Sequence, residues 1–175
     1  MDHSAEVEES HGRSWRGVLR PRWIVSFVAV AAVISSGLLF VDSLRVESGP
    51  KAGDPKCSDV VDRSPDKVGS EDRDWVIGKG VASWGDRSTV LRCGVEELQP
   101  TVNLCVSADG VDWVLDEKRL KETGVSVLTT YGRSPAVEVT YSGSREEVGG
   151  VLVELNESVA GIPQKRKCLG YDDAL

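Results

Sequence analysis

The four cysteines are the residues of this chain whose chemistry is easiest to define. All of them follow an uncharged apolar run that ends at residue 41, and they are Cys57, Cys93, Cys105 and Cys168. An even number of cysteines in an exported domain predicts two disulfide bonds, for which three pairings are possible. We favour a bond between Cys57 and Cys168, which lie near the two ends of the domain. The second bond then joins Cys93 to Cys105, on predicted strands separated by a short connection.

Histidine, the residue most often used as a catalytic base, is missing from the part of the chain that can fold. His3 and His11 both precede the apolar run. Their position excludes Ser-His-Asp catalysis, Cys-His catalysis and histidine metal sites in the residues that follow. Zinc held by the cysteines is a competing interpretation, but no two of them have the C-x2-C spacing typical of zinc sites. We therefore predict no catalytic residue of these kinds, no metal and no cofactor.

Carboxylates are the remaining groups that could do chemistry. Asp109, Asp112 and Asp116 are close enough in sequence to suggest an acid–base pair or a calcium site. A turn explains Asp109, a solvated strand face explains Asp112 and Asp116, and the spacing of an EF-hand is absent. A glycosidase requires two carboxylates about 5–9 Å apart in a cleft. Such a hydrolase is the alternative to a non-catalytic role.

Three further patterns have both a functional and a structural interpretation. Trp75, Trp84 and Trp113 could form a platform for sugar rings, but tryptophans more often pack in or beside a core. Residues 156–158 (NES) match a glycosylation acceptor, although they fall on a predicted helix. Residues 78–80 (GKG) fit neither a P-loop nor a GxGxxG frame.

The apolar run itself covers residues 23–41 and predicts a single transmembrane helix. As a helix it would reach about 28 Å, close to the hydrocarbon thickness of a bilayer. Four arginines precede it at positions 13, 16, 20 and 22, and Asp42 follows it. The positive-inside rule then leaves the N-terminus in the cytoplasm and the later residues outside the plasma membrane. A cleaved signal peptide is the alternative, but the run is long and no A-x-A site follows it.

This segment divides the chain into four parts. The composition of residues 1–22, which include few apolar side chains, predicts a disordered cytoplasmic tail. Residues 42–53 predict an extracytoplasmic linker, because they are polar and rich in glycine and proline. Residues 54–175 predict a disulfide-stabilised extracytoplasmic domain with one core.

The charge of the chain argues against nucleic-acid binding. Acidic residues outnumber basic ones by 28 to 21. The first 22 residues contain equal numbers of each, so the excess belongs to the outer domain. A nucleic-acid partner is therefore not expected. Residues 165–167 (KRK) are one basic spot, which we interpret as a solvated edge.

The sequence of the domain predicts an α+β fold. About five mostly antiparallel strands form a sheet, and one C-terminal helix packs on it. The sequence Asp109-Gly110 predicts a type I′ turn that pairs strand 101–107 with the strand that begins at Val111. Further strands are expected at residues 88–93, 125–131 and 137–141.

Two helices complete the predicted fold. Asp54 followed by Pro55 predicts the start of a short N-terminal helix. Ser144 and Glu147 have the spacing of a capping box before the C-terminal helix, which ends at Gly161.

Two sequence blocks resemble a known family. Residues 84–95 (WGDRSTVLRCGV) and residues 110–113 (GVDW), between an early Cys57 and a late Cys168, resemble the actinobacterial membrane or secreted proteins grouped as domain-of-unknown-function family 3515. The resemblance covers residues 57–169. It implies a cell-envelope location and supplies no catalytic residues.

The sequence as a whole favours a membrane-anchored, non-catalytic binding module of the cell envelope. Its expected contacts are membrane lipid, through residues 23–41, and an envelope protein or polysaccharide. A carboxylate-based, carbohydrate-active hydrolase and a cleaved secreted protein are the alternatives.

Overall fold

A computed structural model of the chain describes residues 44–168. The predicted tail 1–22, the predicted transmembrane helix 23–41 and residues 169–175 lie outside the described residues, and so do His3 and His11. From residue 44 to residue 168, no helix has both the length and the apolar character needed to cross a membrane.

This part of the chain is an α+β domain built around a six-stranded antiparallel sheet. Its helices are α1 (Pro55–Asp62), α2 (Glu117–Thr123) and α3 (Val148–Ala160). Its strands are β1 (Lys67–Val68), β2 (Glu71–Asp72), β3 (Val81–Trp84), β4 (Thr89–Val95), β5 (Cys105–Ala108), β6 (Val111–Leu115), β7 (Ser126–Thr130) and β8 (Ala136–Tyr141). The sheet order is β3-β4-β8-β7-β6-β5, and β1 pairs with β2 as a separate hairpin.

The hairpin of β5 and β6 has the predicted turn and register. Asp109 and Gly110 have φ values of 46° and 82°, as a type I′ turn requires. Val106 lies opposite Trp113, and Ala108 lies opposite Val111. The strand is shorter than the predicted range 101–107, however, because β6 ends at Leu115 and leaves no partner for residues 101–103.

Four elements are additional to the prediction of about five strands and two helices, which are the short hairpin strands β1 and β2, strand β3 and helix α2. Every residue of β3 is buried, so its sequence VASW lacks the alternation that identifies a half-buried strand. Helix α2 has no apolar stripe. It is stabilised by an N-cap at Asp116, by a left-handed C-cap at Gly124 (φ 75°) and by the ion pair between Lys121 and Glu117.

The core lies between one face of the sheet and helices α1 and α3. Leu91, Leu128 and Val139 from neighbouring strands are buried there, together with Leu152 and Leu155 of α3. Helix α1 begins as predicted, since the Asp54 side chain accepts a hydrogen bond from the N–H of Lys56 at 2.9 Å. The predicted short N-terminal helix and packed C-terminal helix are both present.

Helix α3 does not begin with the predicted capping box. Glu147 occupies the N-cap without a side-chain cap, and its carboxylate instead accepts a hydrogen bond from the hydroxyl of Tyr141 at 2.7 Å. Ser144 bonds to Glu146 through its side chain. The capping box does not form because the Glu147 carboxylate, which would accept from the N-cap N–H, is bonded to the phenol of Tyr141.

The segment 44–53, for which composition predicts a linker, packs on the domain. The N–H of Lys51 donates to the carbonyl oxygen of Gly94 at 2.8 Å, and Ala52 is buried. The N–H of Ile77 donates to the carbonyl oxygen of Leu44, and the carbonyl oxygen of Ile77 accepts from the N–H of Val46. The folded unit therefore includes residues 44–53, ten residues that the sequence assigns to a linker.

The disulfide bonds are Cys57–Cys93 and Cys105–Cys168, with Cα–Cα distances of 5.3 and 6.1 Å. The prediction of two bonds is confirmed, but the favoured pairing of Cys57 with Cys168 and Cys93 with Cys105 is wrong. Strands β4 and β5 are not neighbours, because β8, β7 and β6 lie between them. Four strand spacings are about 19 Å, far beyond the reach of a disulfide.

Candidate functional site

An exposed apolar patch lies directly before β5. Val102 and Leu104 belong to the predicted strand 101–107, and their exposed fractions are 103% and 51%. They line a groove of about 420 Å³, here called the β5 groove, with walls that also include Val114, Tyr131 and Lys167. The disulfide between Cys105 and Cys168 forms part of its lining.

Strand β5 is an edge of the sheet, and its backbone presents hydrogen-bonding groups outward. The N–H of Leu115 donates to the carbonyl oxygen of Leu104 at 2.9 Å. The backbone N–H and C=O groups of successive residues alternate in direction along an antiparallel strand. Those of Val106 therefore also point toward β6, and those of Cys105 and Ser107 point away from it. Such an edge can accept a further strand.

A C-terminal segment, residues 162–168, forms one side of the β5 groove. The Asp112 carboxylate accepts bonds from Gln164 Nε2 at 2.7 Å and from the N–H of Cys168 at 2.8 Å. The Arg133 guanidinium donates to the carbonyl oxygen of Ile162. Burial lowers the pKa of Arg133, and the charge of Asp112 acts in the opposite direction. Asp112 is buried, with 8% exposed, so the expectation that it belongs to a solvated face is wrong.

The basic residues 165–167 lie on this segment, beside the groove. All three are exposed. Arg166 lies 5.6 Å from the centre of the Tyr131 ring and donates to the carbonyl oxygen of Leu98 at 3.1 Å. Lys167 lines the groove directly. The one basic spot of an acidic domain therefore borders its exposed apolar patch.

A second concave region, here called the glutamate cleft, lies between the β1–β2 hairpin and the start of α3. It has a volume of about 540 Å³, and its lining includes four exposed glutamates, which are Glu71, Glu146, Glu147 and Glu154. Tyr141 also lines it. A general acid requires a carboxyl group whose pKa is raised by burial.

The electrostatics of this cleft differ from that requirement. The hydrogen bond from Ser144 holds the pKa of Glu146 below its ordinary value. The Glu154 carboxylate accepts a bond from the N–H of Gly69 at 2.6 Å. The hydrogen bond to Glu147, together with burial, raises the pKa of Tyr141 to about 12. The cleft glutamates are therefore exposed acceptors of local hydrogen bonds.

The other residues considered from the sequence have structural positions. Trp84 and Trp113 are fully buried, and Trp75 is 73% exposed, so the three do not form one platform. Asp109 lies in the turn, as predicted, but Asp116 caps α2. In residues 156–158 the Asn156 side chain is buried and donates to the carbonyl oxygen of Ala108, which conflicts with its use as a glycosylation acceptor.

Over residues 44–168, histidine, cysteine, aspartate and glutamate side chains form no group of three or more that could hold a metal ion.

The sequence contained one clue to the β5 groove that the fold prediction did not use. Val102 and Leu104 alternate as the residues of a strand do, while Pro100 and Asn103 beside them weaken a strand. The basic residues 165–167 are visible in the sequence, but their place beside β5 depends on the pairing of Cys168 with Cys105.

Comparison with known proteins gives one match. No curated protein and no solved structure matches the chain. The model of the family described as "Protein of unknown function (DUF3515)" matches residues 21–167, which is most of the chain. The chain belongs to the DUF3515 family.

Proposed function

We propose that this chain is a single-pass, membrane-anchored protein whose extracytoplasmic domain binds an extended segment of an envelope protein along β5. The observation that carries the proposal is an outward-facing strand edge that directly follows the exposed Val102 and Leu104. In strand addition, main-chain hydrogen bonds supply affinity, and pockets beside the strand select side chains. The partner segment pairs with Cys105 and Ser107 and inserts an apolar side chain into the β5 groove.

Charge favours an acidic partner segment. Lys167 lines the groove and Lys165 is exposed two residues before it, whereas the whole chain carries a net charge of −7. Opposite charges at the rim of an interface accelerate association and reject partners of the wrong sign. The binding segment therefore combines apolar residues with Asp or Glu and pairs poorly with basic segments.

The anchoring part of the proposal rests on residues 23–41, which are uncharged and long enough to span a bilayer. In cells that express the full chain, an alkaline carbonate wash should leave the full-length protein in the membrane pellet. A shorter product in the medium would instead favour the cleaved secreted form.

A hydrolase is the second candidate, because the glutamate cleft is concave and lined by carboxylates. Its glutamates are exposed and accept local hydrogen bonds, and the pKa of Glu146 is lowered rather than raised. The Glu147→Gln variant distinguishes the two functions. Partner binding at β5 should survive this substitution, whereas a hydrolase that uses the cleft should lose its turnover of envelope polysaccharide.

Site-specific photo-crosslinking in intact cells tests the binding site. A photoreactive residue replaces Ser107, and the same residue replaces Glu157 on α3 as the matched control. We expect a discrete protein adduct from position 107 alone. Leu104→Glu should abolish this adduct, and Val153→Glu, at an exposed apolar position of α3, should not.

The outcomes separate specific docking from random encounter. Equal adducts from positions 107 and 157 would contradict a site at β5. An adduct that resists Leu104→Glu would contradict a role for the β5 groove. Sequencing the crosslinked peptide then checks that it is extended, apolar and acidic.

A further inference from the structure

The domain is joined to the apolar run by a connection much shorter than its composition suggests. The N–H of Ile77 donates to the carbonyl oxygen of Leu44 at 2.9 Å, and the N–H of Val46 donates to the carbonyl oxygen of Ile77 at 3.0 Å. Arg45 and Ile77 form a parallel bridge. Residue 44 is therefore already part of the domain, and only residues 42 and 43 separate it from the end of the run.

This connection limits the distance between the domain and a bilayer. Three extended residues from Val41 to Leu44 span at most about 11 Å. The headgroup layer on one side of a bilayer is about 5–8 Å thick. If residue 41 marks the end of the membrane span, residue 77 lies within or just beyond the headgroups, because its backbone bonds directly to Leu44.

The segment at this position, residues 75–79, is here called the tryptophan loop. Trp75 has an exposed fraction of 73% although it is a large aromatic side chain. Ile77 and Lys79 line a shallow groove with Arg45, and the Lys79 and Arg45 side chains are exposed. Glu47 is the one acidic residue in that lining.

These side chains suit a membrane surface. Indole rings are enriched where hydrocarbon meets headgroup, since one edge of the ring is apolar and its N–H is polar. A lysine or arginine near an anionic leaflet is attracted by the negative surface potential of its lipids. Of the other exposed large apolar residues between residues 44 and 168, Val102 and Leu104 lie beside β5 at the far edge of the sheet from β3, and Val153 lies on α3.

We propose that the tryptophan loop rests on the outer membrane surface, with Trp75 in the headgroup layer and with Arg45 and Lys79 facing lipid phosphates. This inference rests on the proposed membrane anchor and adds an orientation to it. The loop neighbours β3, because the N–H of Asp74 donates to the carbonyl oxygen of Ser83 at 2.8 Å. The opposite edge strand, β5, then faces away from the bilayer and is open to a partner.

Fluorine NMR of the full chain tests this orientation. The protein is labelled with 5-fluorotryptophan and reconstituted into nanodiscs of phosphatidylcholine and phosphatidylglycerol, with or without a gadolinium-chelating lipid. Trp75→Phe assigns the Trp75 signal. Trp23 reports on the apolar run, and Trp113 is the reference, because β6 lies four strands from β3, about 19 Å away.

We expect gadolinium to abolish the signals of Trp23 and Trp75 and to leave that of Trp113 visible. Loss of the Trp23 signal with retention of the Trp75 signal would overturn the inference and leave the anchor intact. Retention of both signals would overturn the anchor and the inference together.

Charge variants test the two cations. In discs that contain phosphatidylglycerol, the double substitution Arg45→Glu and Lys79→Glu should restore part of the Trp75 signal. Lys118→Glu, at an exposed position of α2, should leave that signal abolished. Unchanged chemical shifts of Trp84 and Trp113 show that each variant is folded. Identical behaviour of the two charge variants would overturn the contribution of Arg45 and Lys79.

Discussion

The carboxylate of Asp112 lies 2.8 Å from the backbone nitrogen of Cys168, a residue 56 positions later in the chain. The same carboxylate accepts a bond from the Gln164 amide at 2.7 Å. Asp112 therefore holds the C-terminal segment on the sheet independently of the disulfide to Cys105. One side of the β5 groove depends on this pair of attachments.

Replacing Asp112 with alanine should destabilise the domain strongly. The substitution leaves the partly buried N–H of Cys168 without its acceptor and removes the charge beside Arg133. Lost buried bonds of this kind cost about 2–4 kcal/mol of unfolding free energy. Denaturant unfolding measures the change. Asp112→Asn retains a carbonyl acceptor and should lose less, while Asp66→Ala at an exposed position should change the unfolding free energy little.

Removing either disulfide should lower stability by similar amounts. The sequence separations are 36 residues for Cys57–Cys93 and 63 residues for Cys105–Cys168. The chain-entropy relation gives an upper limit of about 4 kcal/mol for each bond. Double serine variants, compared by thermal unfolding, measure the loss.

The two bonds differ in their expected effect on binding. Cys105→Ser with Cys168→Ser should also weaken crosslinking at position 107, because it frees one side of the β5 groove. Cys57→Ser with Cys93→Ser should not. Non-reducing peptide mapping checks the pairing, and a peptide joining Cys57 to Cys168 would contradict it.

Local signals in the sequence predicted local structure well. The turn at Asp109 and Gly110 defined the β5–β6 register because turn type and side-chain alternation agree there. The Asp54 cap likewise predicted the start of α1. In both cases the physical causes lie within a few residues of each other.

Features that depend on distant residues were not predictable in this way. The pairing of Cys105 with Cys168 follows from the position of β5 at the sheet edge, which no local pattern encodes. The capping box failed because Tyr141 takes the Glu147 carboxylate. The β5 groove also depends on distant residues, since Val102 lies beyond the end of β6 and has no strand partner there.

Because of the bond between Tyr141 and Glu147, we expect the Tyr141 hydroxyl to lose its proton at a higher pH than an ordinary tyrosine. The bond raises the pKa of Tyr141 to about 12. Because the folded-state pKa exceeds the unfolded value of about 10, this bond stabilises the fold fully below pH 10 and loses its effect as pH rises toward 12. Ultraviolet titration should resolve a late component from Tyr141. Tyr141→Phe should remove it, and Tyr131→Phe should leave it in place.

The hydrogen bonds of the Asp74 carboxylate lead us to expect a lower unfolding free energy of the domain in acid. This carboxylate accepts bonds from Ser83 Oγ at 2.7 Å and from the N–H groups of Asp86 and Arg87 at 3.0 and 2.9 Å. Burial alone would raise the pKa of Asp74, but these bonds outweigh it and hold the pKa below its ordinary value. The contribution is therefore present above the unfolded pKa of about 4 and disappears as pH falls through the folded value.

The measurement compares wild type with Asp74→Asn by urea unfolding at several pH values. The difference in unfolding free energy should be largest near neutral pH and should shrink in acid. Asp66→Asn, at an exposed position, serves as the control. A difference that stays constant across the acid range would contradict the assignment of the stabilisation to the Asp74 charge.

Glycines in two different settings should respond in opposite ways to alanine. A Cβ at Gly149, in the first turn of α3, would have no heavy atom within 4 Å. Gly149→Ala should therefore raise the unfolding free energy by about 0.5–1 kcal/mol through helix propensity and a less flexible unfolded chain. Gly132 has a φ of +70°, and its Cβ would lie against the carbonyl group of Arg166, so Gly132→Ala should destabilise the domain. Denaturant unfolding of both variants checks the prediction, and destabilisation by Gly149→Ala would mean that α3 begins differently from the structure described.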